Sequence, residues 1–102
     1  WGAVVSEALM MGTPVICSDA CGSSEVVQYS DVGGVFRSGD VSSLTDLIAI
    51  ELAKGRKSIQ DRSRLSQWAQ CLGSVSGSHY FNSILEYSNS HIATAKPVPP
   101  WR

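Results

Sequence analysis

Apolar residues fill positions 2–11 almost all round, with Ser6 and Glu7 as the polar exceptions. Periodicity alone does not separate helix from strand in such a run, and Val4-Val5 leans towards strand. Two features predict a helix. Glu7-Ala8-Leu9-Met10-Met11 are good helix formers, and Gly12 stands where a left-handed C-terminal cap belongs, with Pro14 just beyond. Val15-Ile16-Cys17-Ser18 then reads as a short apolar strand of the kind buried in a parallel sheet. A small-residue loop, Asp19 to Ser24, leads into a brief helix through Gln28 that Ser23 or Ser24 can cap. Gly34-Val35-Phe36-Arg37 reads as a second short strand.

Downstream the helical period takes over. Asp40 is placed as an N-cap, and Leu44, Leu47, Ile48 and Leu52 form one apolar face of a helix over about 41–54, ended by Gly55. A helix over about 58–72 carries Leu65, Trp68, Ala69 and Leu72 on one side. Another, over about 75–89, carries Phe81, Ile84, Leu85 and Ser88. The prolines at 97, 99 and 100 forbid a helix in the tail, so 92–102 reads as a linker, an arm or a disordered end. Strand, loop, helix, strand, then helices is an α/β pattern. Two strands are few for an independent sheet, so further strands are expected upstream of Trp1. The chain also opens on an apolar helix-like run with neither an initiator Met nor a signal peptide. Both features predict a piece of a longer protein.

A chain of 102 residues bounds the answer to one modest core. Eight Lys and Arg stand against nine Asp and Glu, and the basic residues are scattered apart from 54–57, which gives no electrostatic basis for binding nucleic acid. No apolar run approaches the roughly 20 residues needed to span a bilayer. Cys17, Cys21 and Cys71, with only His79 and His91 far along the chain, fit no common zinc spacing. They read as small reduced residues, which points to a cytoplasmic protein, with peripheral membrane attachment left open. Nothing resembles a nucleophile triad, a metal cluster or a P-loop. His79, Trp68 and Tyr80 read as packing or surface residues.

The chemistry-bearing carboxylate is Glu7. Surrounded by Val4, Val5, Ala8, Leu9, Met10 and Met11, it is expected on a largely buried helix, where a carboxylate needs a specific partner. From the residues alone, a solvated helix carboxylate and a ligand-binding one both remain open. Trp1-Gly2-Ala3-Val4-Val5-Ser6-Glu7-Ala8, followed by Gly12-Thr13-Pro14-Val15-Ile16, resembles in order and spacing the donor-binding segment of retaining, sugar-nucleotide-dependent glycosyltransferases of group 1, the GT-B architecture. The likeness is good over about 1–55, looser over 56–91, where only a helical pattern with Trp68 and Tyr87 matches, and absent in the tail.

The resemblance implies the fold of a Rossmann-like parallel-sheet domain, the C-terminal half of a GT-B donor-binding domain. Residues 1–91 would form its distal part and 92–102 a Pro-rich tail. It implies transfer of a sugar from a nucleoside-diphosphate sugar to an acceptor hydroxyl with retention, without a bound metal or other cofactor. Glu7 would accept hydrogen bonds from the nucleotide ribose. An ionised carboxylate is acceptor-only and can hold a vicinal diol with both oxygens. Ala3 and Val4 would face the donor diphosphate through backbone amides at a helix N-terminus, with Gly2 allowing close approach. Trp1 stands at a position that is more often Phe and would pack beside the site.

Gly22 and Glu25 would support the same edge. Here Cys21-Gly22-Ser23-Ser24-Glu25 departs from the family's Gly-Gly-X-Pro-Glu by a Ser in place of Pro, and Glu25 is also accounted for as a first-turn helix carboxylate. The family's earlier Glu falls one position before Trp1, and its basic diphosphate-neutralising residues lie upstream. The catalytic residues are therefore expected outside this chain. The acceptor, a glycan, a lipid-linked or another hydroxyl compound, would be bound mainly by an N-terminal domain. The 102 residues alone are expected to transfer no sugar. Two other readings stay open: a non-catalytic α/β binding or regulatory module derived from such a domain, and a glucan synthase or phosphorylase of the same architecture.

Overall fold

The computed structural model describes residues 3–90 and 95–102. Its first helix, α1 (Ala3–Met10), ends as predicted at Gly12. With φ of 73°, Gly12 donates to Leu9 O at 2.9 Å while Thr13 N–H donates to Ala8 O at 2.9 Å, a Schellman pair that satisfies two carbonyls of the last turn. A helix from much later in the chain, α4 (Ile59–Ala69), closes the same end. Its Ser66 hydroxyl donates to Met10 O at 2.6 Å, and the Arg62 guanidinium donates to Met11 O at 3.3 Å.

Strand β1 (Val15–Ser18) pairs in parallel with β2 (Gly33–Phe36), and α2 (Ser24–Tyr29) makes the crossover that a parallel pair requires. The register sets Val15 opposite Gly33 and Ser18 opposite Phe36. The second strand thus starts and stops one residue before its predicted bounds, because Gly33 belongs to the ladder and not to a turn. A Cβ on Gly33 would lie 1.9 Å from Val15 O, and its φ is 73°, so only glycine fits there. Beyond the strands, Asp19 N–H donates to Phe36 O at 2.8 Å and the Asp19 carboxylate accepts from Ser38 N–H at 2.8 Å. These bonds tie together the carboxyl ends of both strands.

The core consists of Val5 and Leu9 from α1, Val26 and Val27 from α2, and Leu65 and Ala69 from α4. Trp68 and Leu72 pack against it, as the apolar stripe of that region predicts. The helix expected over about 58–72 divides into α4 and a 3-10 turn at Gln70–Leu72. Helix α3 (Val41–Ala53) starts where expected: the Asp40 carboxylate accepts from Ser43 N–H at 3.0 Å. It rests on β2, where Leu47 lies over Gly34 so closely that a Cβ on that glycine would be 2.8 Å away.

Two helices leave their apolar faces uncovered. Ile48 and Leu52 of α3 are exposed, and α3 has no fully buried residue. In α5 (Ser74–Asn89) the same holds for Phe81, Ile84, Leu85 and Ser88. Each helix has the predicted stripe, but the described residues supply too little surface to cover it.

The tail is ordered over 95–102. Arg102 N–H donates to Pro99 O at 3.2 Å, closing a turn that returns Trp101 to the edge of the core. There Trp101 meets Tyr80 of α5 edge to face, with ring centroids 6.2 Å apart. Arg102 forms an ion pair with Glu25 of α2, its Nε 2.8 Å from Oε1, and its guanidinium lies 5.6 Å from the Tyr29 ring centre. The boundary between residues 91 and 92 falls outside the described residues. Among those described, no helix is long and apolar enough to cross a membrane.

Candidate functional site

Helix α1 has two faces. Val5 and Leu9, four residues apart, point into the core. Ala3, Val4, Glu7 and Met11 share the other side, and all four are exposed, Val4 by 76% and Met11 by 71%. The expectation that Glu7 sits on a largely buried helix is therefore corrected. A run that is apolar all round carries no period, so it did not reveal which face is free. Desolvation does not force a partner on Glu7, and among the described residues its side chain makes no hydrogen bond or ion pair. Both carboxylate oxygens are open to a ligand.

At the N-terminal turn of α1, Ala3 and Val4 are exposed. Its first amides have no intrahelical acceptor, and no acidic side chain occupies the first turn to offset the helix dipole. Ala3 lies four residues and Val4 three residues before Glu7, so their side chains share one side of the helix and the first-turn amides lie about one turn before the carboxylate. The opposite end is closed by Gly12, Ser66 and Arg62. What remains for a ligand is an anion-attracting turn with an acceptor-only carboxylate one turn further on. Trp1 and Gly2, the other two positions singled out at this end, lie outside the described residues.

A short connection, residues 11–14, joins α1 to β1, and the two pack together. Gly22 is exposed in the turn leading from β1 to α2. Ser23 holds the N-cap position of α2 but makes no capping bond; its hydroxyl lies 3.3 Å from Cys21 Sγ. Glu25 occupies the first turn of α2, where the dipole favours a carboxylate, and is held by Arg102. The structure thus places Ala3, Val4 and Glu7 together on α1, and engages Glu25 with the tail.

Arg102 and Trp101 escaped the sequence reading. An aromatic and a guanidinium directly after Pro99-Pro100 are suited to anchoring a chain end, because both bind through large flat surfaces. Their partners Tyr80, Tyr29 and Glu25 are distant in sequence. Cavities of about 420 Å³ beside Met11, Arg62 and Ser66, and of about 480 Å³ between Tyr29, Lys57, Leu65 and Trp68, are lined by none of Ala3, Val4 and Glu7.

The family model described as glycosyl transferases group 1 matches residues 1–70. The match runs through α1, β1, α2, β2, α3 and α4, and leaves α5 and the tail outside it. Neither curated proteins nor solved structures gave a match.

Proposed function

The chain belongs to the group-1 glycosyltransferases, and on that premise we propose that it forms the nucleotide-recognition end of a donor site in a retaining GT-B enzyme that uses a nucleoside-diphosphate sugar. Family membership implies glycosyl transfer between a sugar donor and an acceptor. The observation that carries the finer reading is the pairing of an unpartnered, exposed Glu7 with the exposed first turn of α1, about one turn before it.

Each part has a chemical task. The ribose of a nucleotide presents two adjacent hydroxyls, and the two oxygens of Glu7 accept from them. The amides of Ala3 and Val4 meet the diphosphate one turn away, where the helix dipole favours negative charge. Leaving-group charge grows as the glycosidic bond breaks, so these amides stabilise the transition state more than the ground state. Residues that contact the transferred sugar and the acceptor are assigned to other parts of the enzyme.

Titration of a nucleoside diphosphate into Glu7→Ala and Glu7→Gln tests the assignment. Loss of the diol acceptors weakens binding by roughly 10- to 100-fold in Glu7→Ala, since hydrogen bonds to charged groups contribute roughly 1.5–3 kcal/mol. Glu7→Gln falls between that variant and the wild type. The melting temperature without nucleotide stays put, because Glu7 is exposed and has no protein partner to lose. Unchanged affinity in Glu7→Ala removes Glu7 from the donor site.

A further inference from the structure

We infer that the Pro-rich tail is a ligand for a partner domain with an aromatic groove bordered by carboxylates, the chemistry of an SH3-type fold, and that docking on α2 and α5 holds this ligand in reserve. The tail reads Pro97-Val98-Pro99-Pro100-Trp101-Arg102, a Pro-x-x-Pro-x-Arg run. Prolines fix φ and favour the extended left-handed helix of three residues per turn. Pro97 and Pro100 then fall on one edge, where an aromatic-lined groove receives them at a low entropic cost. A guanidinium two residues beyond the second proline reaches carboxylates at the end of such a groove, and Arg102 holds that place. A groove that reads Pro-Pro-x-Tyr is not served, because Arg102 stands where the tyrosine would be.

On the domain itself the tail is closed. Arg102 N–H donates to Pro99 O at 3.2 Å, a turn that the extended helix, which has no internal hydrogen bonds, does not contain. The Arg102 guanidinium pairs with Glu25 and lies 5.6 Å from the Tyr29 ring centre, while Trp101 meets Tyr80. A carboxylate beside an aromatic ring is also what the groove offers that guanidinium, so α2 and the partner compete for Arg102. The hold is shallow. Val98 is 65% exposed, and the pair with Glu25 is open to solvent, where ion pairs contribute little. Arg102 and Trp101 therefore act alike in docking but differently towards a partner. Both keep the tail down, whereas the groove reads Arg102 and leaves Trp101, at an x position, unread. The tail lies outside residues 1–70, over which the family model matches, so the inference is independent of the donor reading.

The test titrates the whole chain into an isotope-labelled SH3 domain that selects Pro-x-x-Pro-x-Arg ligands, followed by NMR. Saturable binding is expected, with shifts confined to the aromatic groove of that domain. Arg102→Ala weakens it at least ~10-fold, through loss of a charge-assisted bond. Pro100→Ala weakens it as well. Trp101→Ala tightens it by roughly 3- to 10-fold, because more tails are open while every residue the groove reads is kept. Thermal melts of the variants check that the core is intact. No saturable binding below about 1 mM overturns the proposal. So does binding that survives Pro100→Ala, or shifts outside the groove. Trp101→Ala and Arg102→Ala changing the affinity in the same direction also overturns it, because the tail is then a structural arm and not a held ligand.

Discussion

Helices α1, α2 and α4 differ sharply from α3 and α5, although α4 carries a one-sided apolar stripe just as α3 and α5 do. The first group contributes all six buried apolar side chains among the described residues. The second contributes none, although α5 is the longest helix of the chain. The ends differ in the same way between α4 and α5: Ser58 caps α4 through Asp61 N–H, whereas the Gly73 N-cap of α5 has no side chain to offer. A helical stripe states which side of an element is fit to be buried. Burial itself depends on a surface arriving from elsewhere. α1 has α4, the 3-10 turn and β1, and α2 has both strands; α3 rests on β2, and α5 has the 3-10 turn and, through Tyr80, the tail.

The largest expected difference follows from that contrast. Leu9 is 0% exposed at the centre of the core, and Leu9→Ala removes its packing on both neighbouring helices. Such truncations cost roughly 2–5 kcal/mol, the range reflecting how far the site collapses. Leu52 and Phe81 are 74% and 59% exposed, so Leu52→Ala and Phe81→Ala stay within about 0.5 kcal/mol. Urea denaturation of the three variants measures the contrast. A cost for Phe81→Ala equal to that of Leu9→Ala shows that the α5 stripe is covered in solution.

Two glycines in the same left-handed conformation give the next comparison. Gly39→Ala meets no atom within 4 Å, so it carries the left-handed cost alone, roughly 1–2 kcal/mol. Gly33→Ala carries that cost and also drives a methyl into Val15 O at the first rung of the ladder. Overpacking adds roughly 1–3 kcal/mol. Thermal melts of both variants separate the backbone term from the packing term, and equal losses show that β2 shifts freely.

These contrasts mark what could be read from the residues. β1 was legible to the residue because its apolar run sits between Pro14 and a loop of small residues. Gly12 was legible because a left-handed cap has a residue signature. β2 was read one position late because Gly33 carries a turn composition in a ladder position, and only its close approach to Val15 O distinguishes the two. The α3 and α5 stripes were legible as stripes, but their exposure depends on what faces them, which no local window contains. In the candidate site, Ala3, Val4 and Glu7 came from likeness to a family pattern, while the argument from burial of Glu7 failed. The arm formed by Trp101 and Arg102 was invisible because all its partners are far away in the chain.

That arm is the next region to perturb. Trp101→Ala removes a half-buried ring and its edge contact with Tyr80, for roughly 1–2 kcal/mol. Arg102→Ala removes an exposed pair with Glu25 and the stacking over Tyr29. Exposed ion pairs contribute little to global stability, so the melt hardly moves, but the tail detaches. Faster amide exchange over 95–102 in Arg102→Ala, with the core unchanged, is the expected readout. Unchanged exchange assigns the docking to Trp101 alone.

The smallest effect belongs to the capped start of α4. The Ser58 hydroxyl donates to Asp61 Oδ2 at 2.7 Å and accepts from Asp61 N–H at 3.1 Å. Chiefly because of that hydroxyl, the Asp61 carboxyl is held below the usual aspartate range. The folded value lies below the unfolded one, so over the window between them the unfolded chain binds more protons and stability rises with pH. The cap's contribution is complete above the ordinary aspartate range and is lost as the pH falls through the lowered folded value. The useful quantity is a difference between two proteins that share everything but this charge. The stability gap between wild type and Asp61→Asn should be constant above the ordinary aspartate range, then shrink as the pH falls through the lowered folded value. Urea midpoints of the two proteins across that range measure it. A gap that stays constant to low pH shows that Asp61 supports α4 through its shape and not its charge; a matching loss in Ser58→Ala identifies the hydroxyl as the partner.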